Sequence, residues 1–261
     1  MKTAFHPTDD RKITVQEYLS EFGARIGPDG KRRTRQNSRC PACNEPMKIY
    51  GEDRARRDQV FSHLQNRDPP LCPLRNSADH RYVFLTEAPQ DSEEGRKLRQ
   101  IFFDHWAKHW DLMRRLLDRY MDVKDFIHLI READRTRLWN RPNLSEWEIP
   151  YILLVWKEWK PVVKGQNGSV LRKEWFRFWF DSNVRTFEDI WIRTEGISRI
   201  IRARYTPPRG DAVPGISHLI EADIITIDTG FLEAQHKTPH EFVIRTMQKE
   251  FPVEMKDWVL N

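Results

Sequence analysis

The chain has three cysteines, at positions 40, 43 and 72, and their spacing constrains its N-terminal third more than any hydrophobic run does. Cys40-Pro41-Ala42-Cys43 sets two thiolates at the separation that forms a zinc knuckle. His63, the end of Phe61-Ser62-His63, follows Cys43 after nineteen intervening residues, and Cys72-Pro73 comes after eight more. His63 and Cys72 then complete a tetrahedral Cys₃His shell for a structural Zn²⁺, with His80 as an alternative ligand. One such site uses every cysteine, which fits a reducing compartment, so a cytoplasmic protein is expected.

A second pattern lies near the C-terminus. Residues 222 to 228, Ala-Asp-Ile-Ile-Thr-Ile-Asp, are β-branched and apolar; Thr229-Gly230 signals a turn; and Phe231 to Lys237 reads as a second strand. Strand alternation would put Glu233, Gln235 and Lys237 on one face and Leu232, Ala234 and His236 on the other. A tight hairpin would bring Asp223 toward that polar face, with Glu221 as a further carboxylate. Carboxylate oxygens at Asp223 and Glu233 suit Mg²⁺ or Mn²⁺, which can activate water or polarise a phosphoryl oxygen. Gln235 or Lys237 would position the nucleophile or stabilise developing charge. Thr238-Pro239 predicts the start of a helix running to Phe251, and Trp258 to Asn261 reads as a last strand.

The net charge of +5 is modest, but Lys31, Arg32, Arg33 and Arg35 lead into the knuckle, and Arg56 and Arg57 lie in the following loop. Such a cluster can neutralise phosphates independently of sequence, which makes a nucleic acid the expected partner. At 39% hydrophobic and 11% aromatic residues, the chain can bury one large core or two smaller ones. No run approaches eighteen consecutive apolar residues, so no membrane span is expected, and the first ten residues lack the apolar run of a signal peptide.

Between these ends, a short helix is expected over Val15 to Phe22. A longer one, capped by Asp91 or Ser92, should carry Leu98, Phe102, Trp106, Trp110 and Leu117, followed by another from Val123 to Ala133. Glu93 and Glu94 in the first turn complement the helix dipole. His105 and His109 share one helix face and could hold a metal, but packing is favoured because no acidic residue has matching spacing. Strands are expected over Tyr151 to Trp156, at Val162-Val163 and Val170 to Trp175 around an Asn167-Gly168 turn, over Phe176 to Phe180, and over Ile197 to Tyr205. Phe187 to Ile192 forms a short helix or strand. Nine of ten tryptophans fall between 106 and 191. They predict a half-buried sheet, and this region is also the first choice for a protein-partner surface or for stacking on unpaired bases.

Ala222-Asp223-Ile224, Leu232-Glu233-Ala234-Gln235-His236, the helix with Glu241 and Arg245, and Trp258-Val259-Leu260-Asn261 resemble the nuclease half of the CoiA-like competence proteins. Cys40-Pro-Ala-Cys43 with Phe61-Ser62-His63 and Cys72 resembles the finger of the same family. The resemblance covers about residues 38–80 and 215–261. It implies a PD-(D/E)xK core, ordered α-β-β-β-α-β, in which Asp223 and Glu233 hold Mg²⁺ or Mn²⁺, helped by the Ala234 carbonyl. Gln235 or Lys237 would position the water that cleaves DNA. Gln235 in place of the usual lysine leaves room for an inactive adaptor.

The expected fold class is thus α+β: an N-terminal zinc-finger module, a helical segment and a restriction-endonuclease-like mixed sheet. The expected division is a basic segment over 1–37, the zinc module over 38–86, helices over 90–135 and a tryptophan-rich α+β region over 136–261. The implied setting is bacterial or phage DNA processing or defence.

Overall fold

Local sequence signals account for most elements of the computed structural model, which describes residues 2–9, 11–41, 45–52, 59–64, 92–164, 169–180, 199–210 and 213–256. The fold is mixed α+β, and the chain divides into two compact units, residues 1–77 with 208–222 and residues 78–207 with 223–261.

Among the described residues, the first unit contains a five-stranded sheet and one α-helix. Strands β1 (Thr3–Phe5), β2 (Lys12–Thr14), β3 (Ser38–Arg39), β4 (Pro46–Tyr50) and β5 (Val60–His63) are ordered β2-β1-β3-β4-β5. Helix α1 (Val15–Phe22) occupies the expected span. Thr14 and Glu17 form a reciprocal capping box, and Gly23, at φ +72°, ends the helix by donating to the Leu19 carbonyl at 2.9 Å. Tyr18 on α1 packs edge-on against Phe61 of β5, and Phe5, Ile13, Met47 and Ile49 complete a small apolar core.

The second unit is organised by helices. They are α2 (Glu93–Asp104), α3 (Trp106–Leu116), α4 (Val123–Arg135), α5 (Ile149–Val155) and α6 (Glu241–Glu250). Ser92 caps α2 and Asp122 caps α4 through their side-chain oxygens, as the sequence signals require. Phe102, Phe103, Trp106, Met113, Phe126, Ile130, Ile152, Leu154, Phe231, Met247 and Phe251 belong to one continuous core. Strands β6 (Val162–Lys164) and β7 (Ser169–Arg172) pair antiparallel on either side of the expected Asn-Gly turn, which itself lies outside the described residues. Strands β8 (Trp175–Phe180), β9 (Arg199–Tyr205) and β10 (Leu219–Thr226) are ordered β10-β9-β8, the second unit contributing the 223–226 half of β10.

Four expectations change. The helix expected over 92–117 breaks at His105, giving α2 and α3. Tyr151 to Trp156 is not a strand: all seven residues of α5 are buried, so no polar face marks the period. Pro150 in the first turn and a preceding Ser145–Glu148 capping box set it as helix. The expected alternation in β8 is absent because all six residues are buried. The Arg177 guanidinium reaches Glu158 at 2.7 Å and Tyr205 Oη at 3.3 Å, which allows a charge in that strand. Finally, the described strand pairings are antiparallel, where the resemblance implies a mixed sheet. Phe187 to Ile192 and Trp258 to Asn261 lie outside the described residues.

Candidate metal centre and polar clusters

In the first unit, strand register organises the candidate zinc ligands. Met47 of β4 faces Ser38 of β3 on one side and His63 of β5 on the other. Cys40 is two residues beyond Ser38 and so keeps its face of the sheet. Its N–H donates to the Glu45 carbonyl at 2.9 Å, closing the loop that contains Cys43. Cys40 and His63 therefore share one face and one end of the sheet, and both are buried. A buried thiol and imidazole at one sheet end fit the donor chemistry of a structural zinc site. Cys43, Cys72 and the alternative His80 lie outside the described residues.

The basic segment splits into two parts. Ile26 bridges Arg32 around a Gly27–Gly30 turn, and this loop presents Lys31, Arg32 and Arg33 as exposed side chains. Arg35 instead turns inward, donating to Glu52 Oε1 at 2.9 Å and the Gly23 carbonyl at 2.6 Å, with its guanidinium over the Tyr18 ring. Its role as a phosphate ligand is corrected to that of a structural ion pair, because Glu52 already takes its donors. Arg56 and Arg57 lie outside the described residues.

The expected catalytic hairpin does not form. Asp223 lies on β10, half-buried, with Arg202 Nη2 at 3.7 Å from its carboxylate. The chain then leaves the sheet: residues 230–232 form a 3-10 turn, and Glu233, Gln235 and Lys237 follow as exposed residues outside any strand. Tertiary contacts override the strand propensity. Phe231 is buried among the helices and Leu232 packs against the same core, so adjacent residues face one way, which an extended strand forbids. The Asp228 carboxylate accepts from Gly230 N–H at 2.7 Å, and Tyr151 Oη bonds the backbone of Asp228 on both sides, at 3.0 and 3.2 Å. Lys108 Nζ donates to the Leu232 carbonyl. Among the described residues, no group of three or more His, Cys, Asp or Glu side chains is arranged to hold a metal ion.

A polar cluster that sequence spacing missed lies at the α2–α3 break. Glu146 Oε1 accepts hydrogen bonds from His105 Nδ1 at 2.8 Å and His109 Nε2 at 3.0 Å. The acidic partner that local spacing lacks arrives from the 3-10 turn at 146–148. The ring of His109 is buried, stacked on Phe102 at 4.5 Å, and its Nδ1 has no hydrogen-bond partner among the described residues. Burial holds His109 below the usual histidine range. Burial acts to raise the Glu146 pKa, but the hydrogen bonds from His109 and His105 outweigh it and leave it below the ordinary carboxylate value. No sequence signal distinguishes Glu146; only the Ser145-x-x-Glu148 box indicates that a turn forms there.

The described tryptophans are interior. Trp106, Trp110, Trp139, Trp156, Trp159, Trp175 and Trp179 are buried, and Trp147 is half-buried. Among the described residues, no tryptophan is exposed to stack on a base or to dock a partner; Trp191 lies outside the described residues. Large apolar rings gain most by leaving water, and the helical core of this unit takes up Trp106, Trp110, Trp139, Trp156 and Trp159.

These features define an α+β protein. No family model, curated protein or solved structure matches the chain.

Proposed function

We propose that this chain is a zinc-containing nucleic-acid-binding protein, a DNA-binding adaptor of the CoiA-like type in bacterial or phage DNA processing or defence. The observation that carries this reading is the convergence of buried Cys40 and His63 at one end of the β3-β4-β5 sheet, with exposed Lys31, Arg32 and Arg33 on a loop of the same unit. Zn²⁺ held by Cys40, Cys43, His63 and Cys72 would fix the finger, and the basic loop would contact phosphates. The test is binding of a labelled DNA duplex as a function of salt, in the wild type and in Arg32→Ala/Arg33→Ala. The reading expects binding that weakens with salt and a shallower salt slope in the variant. Wild-type protein that is folded, zinc-loaded and unable to bind DNA would overturn it.

A metal-dependent nuclease is the second reading. What favours it is the element order: helix α5 comes first, then the β8-β9-β10 sheet with Asp223 on its last strand, then helix α6. It requires Glu233 to move next to Asp223 when Mg²⁺ or Mn²⁺ and DNA bind. Mn²⁺-dependent cleavage of single- and double-stranded DNA by the wild type, abolished in Glu233→Ala, would select this reading; equal cleavage by both would exclude this site.

A further inference from the structure

Lys237 does not stand beside Asp223 in a catalytic hairpin; it lines a cavity of about 270 Å³ together with Asp111, Arg114, Arg115 and Arg119. The three arginines come from the end of α3 and the turn after it. Cations there complement the negative end of the helix dipole, which accounts for Arg114 and Arg115. It does not account for Lys237, which the packing of Phe231 and the capture of Asp228 bring from a distant segment. Nor does it account for the backbone at Arg119. Asp118 and Arg119 are both left-handed, at φ +53° and +65°, without a glycine at either position. Arg119 N–H is tied to the Arg114 carbonyl at 2.7 Å, and Arg114 Nη2 returns a bond to the Arg119 carbonyl at 2.9 Å, so the strained turn is held in place. Backbone strain that a structure maintains with its own hydrogen bonds is a pointer to function.

The charges of the cavity are unbalanced. Its lining holds four cations against one carboxylate, and Asp111 meets Arg115 at 3.3 Å, which leaves Arg114, Arg119 and Lys237. Arg119 and Lys237 are exposed, and neither has a carboxylate partner among the described residues. Guanidinium groups present planar forks of donors and the ammonium a compact charge, a combination that suits the oxygens of a phosphate better than a single carboxylate. Like charges held together around a cavity also exclude a metal cation as its occupant.

We infer that this cavity is a phosphate-binding site, which takes the backbone phosphates of the nucleic acid. The inference rests on the nucleic-acid reading above for the identity of the phosphate, and on the cavity alone for the site. Arg119 and Lys237 make the direct contacts, Asp111 orients Arg115, and the second unit thereby adds its own contacts to those of the basic loop in the first. The same chemistry would accept a free polyphosphate, so the experiment separates the two sources.

The wild-type chain, Lys237→Gln/Arg119→Gly and Arg32→Ala/Arg33→Ala are compared for binding of a labelled single-stranded DNA, a duplex of the same sequence and a labelled nucleoside triphosphate, across a salt series. Glycine suits the left-handed backbone at 119, so the variant loses charge without losing the turn. Support is a loss of DNA affinity of about fivefold to tenfold in the 119/237 variant, with a salt slope shallower by roughly 1.4 to 1.8 for the two lost contacts. DNA binding unchanged in that variant, but weakened in the 32/33 variant, overturns the inference and leaves the nucleic-acid reading standing. Triphosphate binding that is lost in the 119/237 variant, with no DNA binding by the wild type, upholds the phosphate site and overturns the nucleic-acid reading. Absence of both from folded wild-type protein overturns both.

Discussion

His109 and Glu146 couple the stability of the second unit to pH. A histidine whose pKa is depressed by burial is bound neutral in the fold, while the unfolded chain takes up a proton near pH 6.5. Its contribution is complete above about pH 6.5 and is lost as pH falls below that value toward the lower folded pKa. Glu146, also lowered, contributes above its unfolded value near 4.5 and loses that contribution as pH falls through its folded pKa. Urea unfolding at pH 7.5, 6.0 and 5.0 should therefore give falling stability, and His109→Phe should flatten the change between the first two. Truncation of Glu146 to Ala leaves the buried imidazole without its hydrogen-bond partner and should cost about 1–3 kcal/mol at pH 7.5. Arg35→Ala should act on the first unit, leaving Glu52 nearly buried without its cation at a cost of about 3 kcal/mol, read by chemical denaturation. A change in DNA affinity without that destabilisation would restore Arg35 to the phosphate-binding surface.

Caps and close approaches decide where elements begin and how near they lie. Thr14→Ala removes one half of the α1 capping box and should cost about 1 kcal/mol, measured as a lower melting temperature of the first unit. Gly95 gives the opposite of the usual helix expectation. Alanine in a helix normally stabilises by close to 1 kcal/mol relative to glycine. Here a Cβ would stand 1.8 Å from Asn140 Oδ1, the atom that accepts from Ser92 N–H at 3.1 Å. Gly95→Ala should therefore lower stability by about 1–3 kcal/mol, and a rise in melting temperature would show that Asn140 yields easily. Elements of this kind were legible in the sequence because their signals are local: α1, α4, β9 and the β6–β7 pair follow from caps, period and turn residues a few positions apart. The strand expected at 231–237 failed because period two was read from alternating polar residues, while the burial of Phe231 beside Leu232 depends on helices more than a hundred residues away in sequence.

At the scale of the molecule, every tryptophan belongs to the second unit, since none occurs in residues 1–77 or 208–222. Removal of the proposed Zn²⁺ by a chelator should thus speed hydrogen exchange in β3, β4 and β5 while leaving tryptophan emission and the protection of α2 to α5 unchanged. Equal loss of protection in both units would mean that they unfold as one. Among the described residues, no helix is long and apolar enough to cross a membrane.

The sequence by itself determined the helix caps, most helical spans and the β6–β7 pair, because each depends on residues close together along the chain. Only the tertiary structure decided that Glu146 joins His105 and His109, that the described tryptophans turn inward, and that Lys237 meets the α3 arginines rather than Asp223. Those pairings depend on which apolar side chains the core takes up, and burial is settled among distant segments together, not within any one of them.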